Sequence, residues 1–325
     1  MHDRRLDAGE AAMHLVVTAS AVHAERWMPL FAAAFPGARI DVREPDTLPR
    51  PAIPHADYVV MVDPCATVFE EQPVPRAIFT ASAGVGHVLR LPNLPKDVPL
   101  VRLEDGGMAL PMIRYVLAVV LAVAQGFDTY ARQQRAHQWT KHPMRSPADI
   151  TVGVLGLGVI GAAIARAVSA QGFAVRGYAQ SPKTLEGVAC YAGAAEFGAF
   201  LARTDVLVSV LPETAATTGL LDRAAMLRLA DGAHIVNIGR ANVLVERDLL
   251  DLLDAGKLGG ATLDVFATEP LPSEHPYWSR PDIMITPHVA GPTIPDATVA
   301  QIAAKVAQLA RGEAVTGIVD VEREY

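Results

Sequence analysis

The chain has 325 residues, 51% of them hydrophobic, and its 28 Lys and Arg against 35 Asp and Glu leave a net charge of -7. An acidic balance argues against nucleic acid as a partner, and the longest unbroken apolar run, Tyr115 to Ala124, falls well short of the ~20 residues a membrane-spanning helix needs. Arg4 and Arg5 are followed by Asp7 and Glu10 where a signal peptide would carry its apolar stretch, and Cys65 and Cys190 lack a C-x-x-C or His-rich neighbourhood; neither a disulfide framework nor a metal site is indicated, and the cytoplasm is the expected compartment.

The first dozen residues read as a loose extension. His14 to Ser20 then form a short strand, and His23 to Phe35 carry apolar residues at helical spacing until Pro36-Gly37 stops them. Arg39 to Val42, a proline-broken stretch from Pro45 to Pro54, and strands at Tyr58 to Val62 and Arg76 to Thr80 continue a small α/β domain. Ala81-Ser82-Ala83-Gly84-Val85-Gly86 follows the last of these directly, which sets free backbone amides at a strand's C-terminal end, where a small anion can sit. Leu100 to Leu103 adds another strand before Glu104-Asp105-Gly106-Gly107 interrupts the pattern, the first hinge candidate. The helix expected from Ala109 to Phe127 is too apolar for a surface and should pack between domains or against another subunit. In the polar segment Gln133 to Pro147, Trp139 reads as a local packing anchor.

Thr151 to Leu155 is an apolar β-type run that enters a turn with glycines at 156, 158 and 161 and leaves as an Ala-rich helix. This is the G-x-G-x-x-G dinucleotide fingerprint in a strand-turn-helix setting. Gly156 permits the tight turn, Gly158 lets the amides around Val159 and Ile160 approach a pyrophosphate, and Gly161 lets helix and strand pack closely. Further strands are expected at Phe173 to Tyr178, Asp205 to Leu211 (ending at Pro212), Ala233 to Ile238, Gly260 to Val265 and Ile283 to Thr286, with helices starting near Asp222 and Glu246. Six strands with crossovers make a doubly wound parallel sheet. The final helix, Pro295 to Arg311, and the tail return to the first domain. The expected division is a substrate domain at 1–107, completed by 290–325, and a dinucleotide-binding domain at 108–289.

Three polar residues stand at strand ends on the ligand side: Arg240, Glu269 and His288. Reduction of a carbonyl needs the substrate held and polarised, a hydride, and a proton for the developing alkoxide. Arg240 can hold a 2-oxo acid, His288 can give the proton, and Glu269 bonded to the other ring nitrogen would fix the imidazole and favour its charged form.

Gly156 to Gly161, Asn237-Ile238-Gly239-Arg240, Leu263 to Pro270 and Thr286 to Thr293 resemble, in order and spacing, the motifs of the D-2-hydroxyacid dehydrogenase family. Arg102 to Met108 and Ser181-Pro182-Lys183 look most like its glyoxylate/hydroxypyruvate reductase branch. The resemblance covers most of the chain and is weakest before residue 76. It implies a Rossmann coenzyme domain with a smaller flavodoxin-like substrate domain. It also implies Arg240 as substrate-binding residue, His288 as proton donor and Glu269 as its partner. By the same carry-over, the amides of Ala83 and Gly84 hold the substrate carboxylate, Asp264 bonds the nicotinamide carboxamide, and Leu211, Pro212 and Ile238 lie along the nucleotide. The family is typically dimeric, with the long helix and the segment near Trp139 wrapping the neighbour.

Gly86 stands where many members have Asp, and Ala241 where they have Gly. The acid usually found at the end of the second strand is also absent, since Tyr178 is followed by Ala179-Gln180-Ser181-Pro182-Lys183. Gln180, Ser181 and Lys183 can meet a 2′-phosphate, so NADPH is the expected cofactor, with NADH possible. The expected activity is NADPH-dependent reduction of glyoxylate or hydroxypyruvate. The alternatives are a dehydrogenase for a bulkier acid of the phenylpyruvate or phosphoglycerate type, and a nucleotide-sensing binding protein resembling corepressors of the same fold; the lack of a basic or low-complexity extension argues against the last.

Overall fold

The computed structural model describes residues 12–45 and 52–325, so all but the last residue of the loose extension and most of the proline-broken stretch lie outside the described residues. In chain order the first elements are β1 (His14–Thr18), α1 (Ala21–Ala34), β2 (Arg39–Arg43), β3 (Tyr58–Met61), α2 (Val68–Glu71), β4 (Ala77–Thr80), α3 (Gly86–Leu89) and β5 (Leu100–Val101). There follow α4 (Ala109–Ala124), α5 (Phe127–Arg135), β6 (Thr151–Leu155), α6 (Val159–Ser169), β7 (Ala174–Ala179), β8 (Val188–Ala192), α7 (Gly193–Leu201) and β9 (Val206–Ser209). The chain closes with α8 (Arg223–Met226), β10 (Ala233–Asn237), α9 (Glu246–Asp254), β11 (Leu258–Leu263), β12 (Ile283–Ile285) and α10 (Pro295–Ala310).

Two compact units result: the residues up to Gly106 together with Thr293–Tyr325, and Gly107–Pro292. In the first unit five parallel strands run in the order β2-β1-β3-β4-β5, the flavodoxin-like arrangement. Every residue of β1, β3 and β4 is buried, which is why these segments are near-continuous apolar runs rather than alternating ones. Ser20 caps α1 by accepting from the His23 amide. The returning C-terminal segment is tied in by Lys305, only 6% exposed, whose ammonium donates to the Thr316 carbonyl at 2.8 Å and to Glu104 Oε2 at 3.1 Å. Burial would raise the Glu104 pKa, but the Thr316 hydroxyl and the Lys305 charge outweigh it and hold the carboxyl below its ordinary range. Beside this pair Val319 N donates to Leu100 O and Arg102 N to Gly317 O, extending the β5 edge.

The second unit carries seven parallel strands in the order β12-β11-β10-β9-β6-β7-β8, a doubly wound sheet that reverses at β6/β9. Its central strands β6, β9 and β10 bury Val152, Val154, Val206, Leu207, Val208, Ile235 and Val236 completely. Each such side chain contributes roughly 1.5–3 kcal/mol of transfer free energy. The count of six strands is corrected to seven. The edge strand β8, Val-Ala-Cys-Tyr-Ala, is only partly covered and lacks the buried apolar run that marks its neighbours. The single helix expected to Phe127 is corrected as well. It ends at Ala124, Gly126 adopts a left-handed conformation (φ 67°), and α5 departs at 60°. Among the described residues no single helix is long and apolar enough to cross a membrane. Trp139 is 95% exposed, so it is not a local packing anchor in this chain.

His234, at the start of β10, is 8% exposed, with its Nε2 2.9 Å from Thr262 Oγ1. Burial pushes its pKa down to about 4, against a small opposing pull from Asp128. The folded protein therefore keeps this ring neutral while the unfolded chain takes up a proton below about 6.5, so stability falls as pH drops from about 6.5 towards 4. Between pH ~7.5 and ~5 the wild type should lose about 2 kcal/mol more than His234→Gln in urea unfolding, as linkage predicts for a shift of this size. Parallel pH profiles for the two proteins would rule out His234 as the source.

Candidate active site

The turn after β6 shows what each glycine does. Gly156 has φ 108°, a conformation closed to most side chains, and its amide and that of Leu157 donate to Tyr178 O on β7 at 3.0 and 3.1 Å. A Cβ at Gly161 would stand 1.8 Å from the Gly156 carbonyl oxygen, so α6 can approach β6 this closely only with glycine there. Around Gly158 the space is open to 4 Å. Gly158 supplies no side-chain cap and the first turn of α6 holds no acid, so the amides at Val159 and Ile160 present an uncompensated positive helix end. A dinucleotide pyrophosphate fits this cradle, which a side chain would fill. At the end of β7, Ala179 is followed by exposed Gln180, Ser181 and Lys183, with no carboxylate among residues 179–183. Leu211 and Pro212 follow β9, where the Pro212 carbonyl accepts from Thr217 Oγ1 at 2.7 Å; Ile238, 4% exposed, follows β10.

Arg240, Glu269 and His288 come from the C-terminal ends of three neighbouring strands, β10, β11 and β12. Asn237 shapes the first turn: its Nδ2 donates to Arg240 O at 3.0 Å and its Oδ1 accepts from Gly239 N at 3.2 Å. A Cβ at Gly239 would lie 2.5 Å from Leu211 O, so only glycine lets the β10 turn sit against the β9 loop. The guanidinium donates from Nη1 to Gly239 O at 2.7 Å, and among the described residues no carboxylate oxygen lies within ion-pair distance of it. Burial lowers its pKa, opposed by the charges of Glu213 and Glu269.

Glu269 and His288 meet at 2.7 Å, Oε2 to Nδ1, while Glu269 Oε1 accepts from the Phe266 amide at 2.9 Å. Partial burial pushes the Glu269 pKa up. The His288 ring, the Phe266 amide and the charges of His288 and Arg240 together pull harder and leave the carboxyl below its ordinary range. The carboxylate is therefore an acceptor at neutral pH, Nδ1 carries the proton it accepts, and Nε2 is left for other chemistry. A cavity of about 420 Å³ opens beside the pair, walled by Phe266, Leu271, Trp278, Ile285 and Pro287.

Asp264, 1% exposed, does more than the sequence indicated. Its Oδ1 accepts from Thr286 Oγ1 at 2.6 Å and Val289 N at 2.9 Å, and its Oδ2 from Ala290 N at 2.9 Å, so one carboxylate braces the loop that carries His288. Thr286 is a residue that sequence reasoning passed over. In the other unit the loop after β4 is shaped by Ser82, whose hydroxyl donates to Gly84 O at 2.9 Å and lies 2.9 Å from Thr80 Oγ1. Among the described residues the amides of Ala83 and Gly84 have no hydrogen-bond partner. No group of three or more His, Cys, Asp or Glu with metal-binding geometry occurs among the described residues.

Residues 117–290 match the family model for the NAD binding domain of D-isomer specific 2-hydroxyacid dehydrogenases. A protein from Yersinia enterocolitica named glyoxylate/hydroxypyruvate reductase A is 38% identical over 308 residues, 93% of this chain and 96% of that one. Among solved structures, a D-isomer specific 2-hydroxyacid dehydrogenase from Xanthobacter autotrophicus in complex with NADPH and MES superposes with TM-score 0.90 at 35% identity, covering 97% of this chain and all of that one. An NADPH-dependent glyoxylate/hydroxypyruvate reductase from Sinorhizobium meliloti in complex with NADP and sulfate gives 0.88 at 34%, with the same coverage. The chain belongs to the D-isomer specific 2-hydroxyacid dehydrogenase family, a family of oxidoreductases.

Proposed function

We propose that this protein is an NADPH-dependent reductase of small 2-oxo acids, with glyoxylate and hydroxypyruvate as substrates. The observation that carries the reading is the Glu269–His288 pair at 2.7 Å, one strand away from a half-buried Arg240 that makes no ion pair with a carboxylate among the described residues. A cationic fork of this kind suits a carboxylate beside a carbonyl, because it donates two parallel hydrogen bonds and carries the charge that the developing alkoxide needs. His288 Nε2 delivers the proton to that oxygen, and Glu269 holds the ring in the tautomer and orientation this requires. The names of the relatives in Yersinia and Sinorhizobium support the substrate class.

The nucleotide supplies the hydride. The amides at Gly158, Val159 and Ile160 hold its pyrophosphate, Leu211, Pro212 and Ile238 flank it, and Asp264 Oδ2, which among the described residues accepts the Ala290 amide alone, has an acceptor direction left for the carboxamide. In this reading the unit of Gly107–Pro292 binds the nucleotide. The unit completed by Thr293–Tyr325 binds the substrate carboxylate at Ala83 and Gly84. The active form is a cytoplasmic homodimer, for which the exposed apolar residues Leu110, Leu121, Phe127 and Trp139 supply contact surface.

The cofactor preference follows from what is missing after β7. A carboxylate at position 179 would accept from the ribose hydroxyls of NADH and repel a 2′-phosphate; Ala179 does neither, while Ser181, Gln180 and Lys183 can donate to that phosphate. Because these side chains are exposed, each contributes modestly, with Lys183 supplying on the order of 1 kcal/mol. kcat/KM at saturating glyoxylate should favour NADPH in the wild type and shift towards NADH in Ala179→Asp. A wild type that prefers NADH, or a variant whose preference does not move, would remove the β7 turn from the account.

A further inference from the structure

His288 has φ 53°, a left-handed backbone that an L residue with a side chain adopts only when its surroundings impose it. The imposition is visible. Its own amide donates to Asp264 O at 2.9 Å and to Thr286 O at 3.0 Å, while the next two amides, Val289 and Ala290, are taken by the Asp264 carboxylate. Thr286, whose hydroxyl also meets the Asp264 carboxylate, is itself held from outside the loop: Tyr115 OH on α4 lies 2.7 Å from Thr286 Oγ1.

The direction of these bonds is fixed by elimination. Asp264 Oδ1 already faces the Val289 N–H and acts as an acceptor, so Thr286 must spend its single hydroxyl proton on Oδ1. The Thr286 oxygen can then only accept, and Tyr115 must donate. Burial, with a lesser push from the Asp264 charge, raises the Tyr115 pKa against the pull of the Thr286 bond, which keeps the phenol protonated for that role. Within an otherwise apolar stretch of α4, the hydroxyl of Tyr115 finds its partner 171 positions away, on the loop of the proton donor.

We infer that Tyr115 is a positioning residue for His288, acting through Thr286 and Asp264 to hold the loop in the conformation that aims the imidazole. The inference rests on the reading of His288 as proton donor. Without the phenol, Thr286 keeps its bond to Asp264 but loses the hydrogen bond that ties it to α4, and the brace on His288 loses the anchor that Tyr115 supplies from outside the β11–β12 edge. Misplacing a catalytic group by less than 1 Å lowers the chemical step without weakening ground-state binding.

The test is a double-mutant cycle on the intact enzyme. Tyr115→Phe should lower kcat about tenfold, a fraction of the roughly 100-fold that a full 1 Å misplacement can cost, with KM for glyoxylate and for NADPH within about twofold of wild type. Thr286→Val should reproduce that loss, and Thr286→Ser, which keeps the hydroxyl, should restore most of it. In a His288→Gln background, Tyr115→Phe should cost nothing further, because there is no imidazole left to position. Tyr115→Phe that melts earlier but turns over normally, or that costs the same tenfold in the His288→Gln background, would overturn the inference while leaving His288 as the acid. Near-normal turnover by His288→Gln alone would overturn both readings, and the two failures are thereby told apart.

Discussion

Replacing His288 with Gln should lower reduction of glyoxylate roughly 100- to 10,000-fold, the usual worth of a positioned general acid, with little change in the binding of either substrate. Gln is close in size and can still accept or donate at the position, so the loop braced by Asp264 has no reason to unfold; what disappears is the imidazole that gives the proton. Glu269→Gln should follow in the same direction with a smaller loss. A neutral amide can still meet Nδ1, but it no longer offers the carboxylate that holds the ring at 2.7 Å. The check is single-turnover and steady-state kinetics on a variant whose circular dichroism and melting curve match the wild type. His288→Gln turning over at near-normal rates would end the proton-donor role.

The second large effect belongs to Arg240. Its Nη1 is partly occupied by the Gly239 carbonyl at 2.7 Å, but no carboxylate of the described residues pairs with it, so most of its charge is available to a bound acid. Arg240→Gln removes that charge and the bidentate fork together. About 3 kcal/mol of transition-state stabilisation should be lost, or on the order of 100-fold in kcat/KM. Ground-state binding of the substrate carboxylate should suffer as well, so KM rises while kcat falls. Arg240→Lys should recover only part of this, since an ammonium keeps the charge and loses the planar geometry. A Gln variant with unchanged KM and kcat would show that the guanidinium does not meet the substrate.

Much of the site is written in local sequence. The glycines at 156, 158 and 161 can be read because each answers a steric demand made within a few residues, and the buried strands because parallel strands covered on both faces become unbroken apolar runs. Arg240, Glu269 and His288 stand out as polar residues immediately after such runs. What escaped depends on partners far away in sequence or on weak local signals. The edge strand β8 is half covered and has no buried run to announce it. The break between α4 and α5 turns on one left-handed glycine inside a stretch whose composition reads as continuous helix. The bracing of His288 joins residues 115, 264, 286, 289 and 290, and nothing around Tyr115 in the sequence marks its hydroxyl as different from any other buried phenol. Trp139 misled because an isolated aromatic is usually a local anchor, whereas here its surface is left open.

The central claim, that this chain reduces small 2-oxo acids with NADPH, is tested most directly by following NADPH absorbance as wild-type protein is mixed with glyoxylate, hydroxypyruvate and phenylpyruvate in turn, and comparing kcat/KM. Turnover with glyoxylate and hydroxypyruvate should stand well above that with phenylpyruvate. Nucleotide that binds but is not oxidised by any of the three, or oxidation only with the bulky acid, would contradict it.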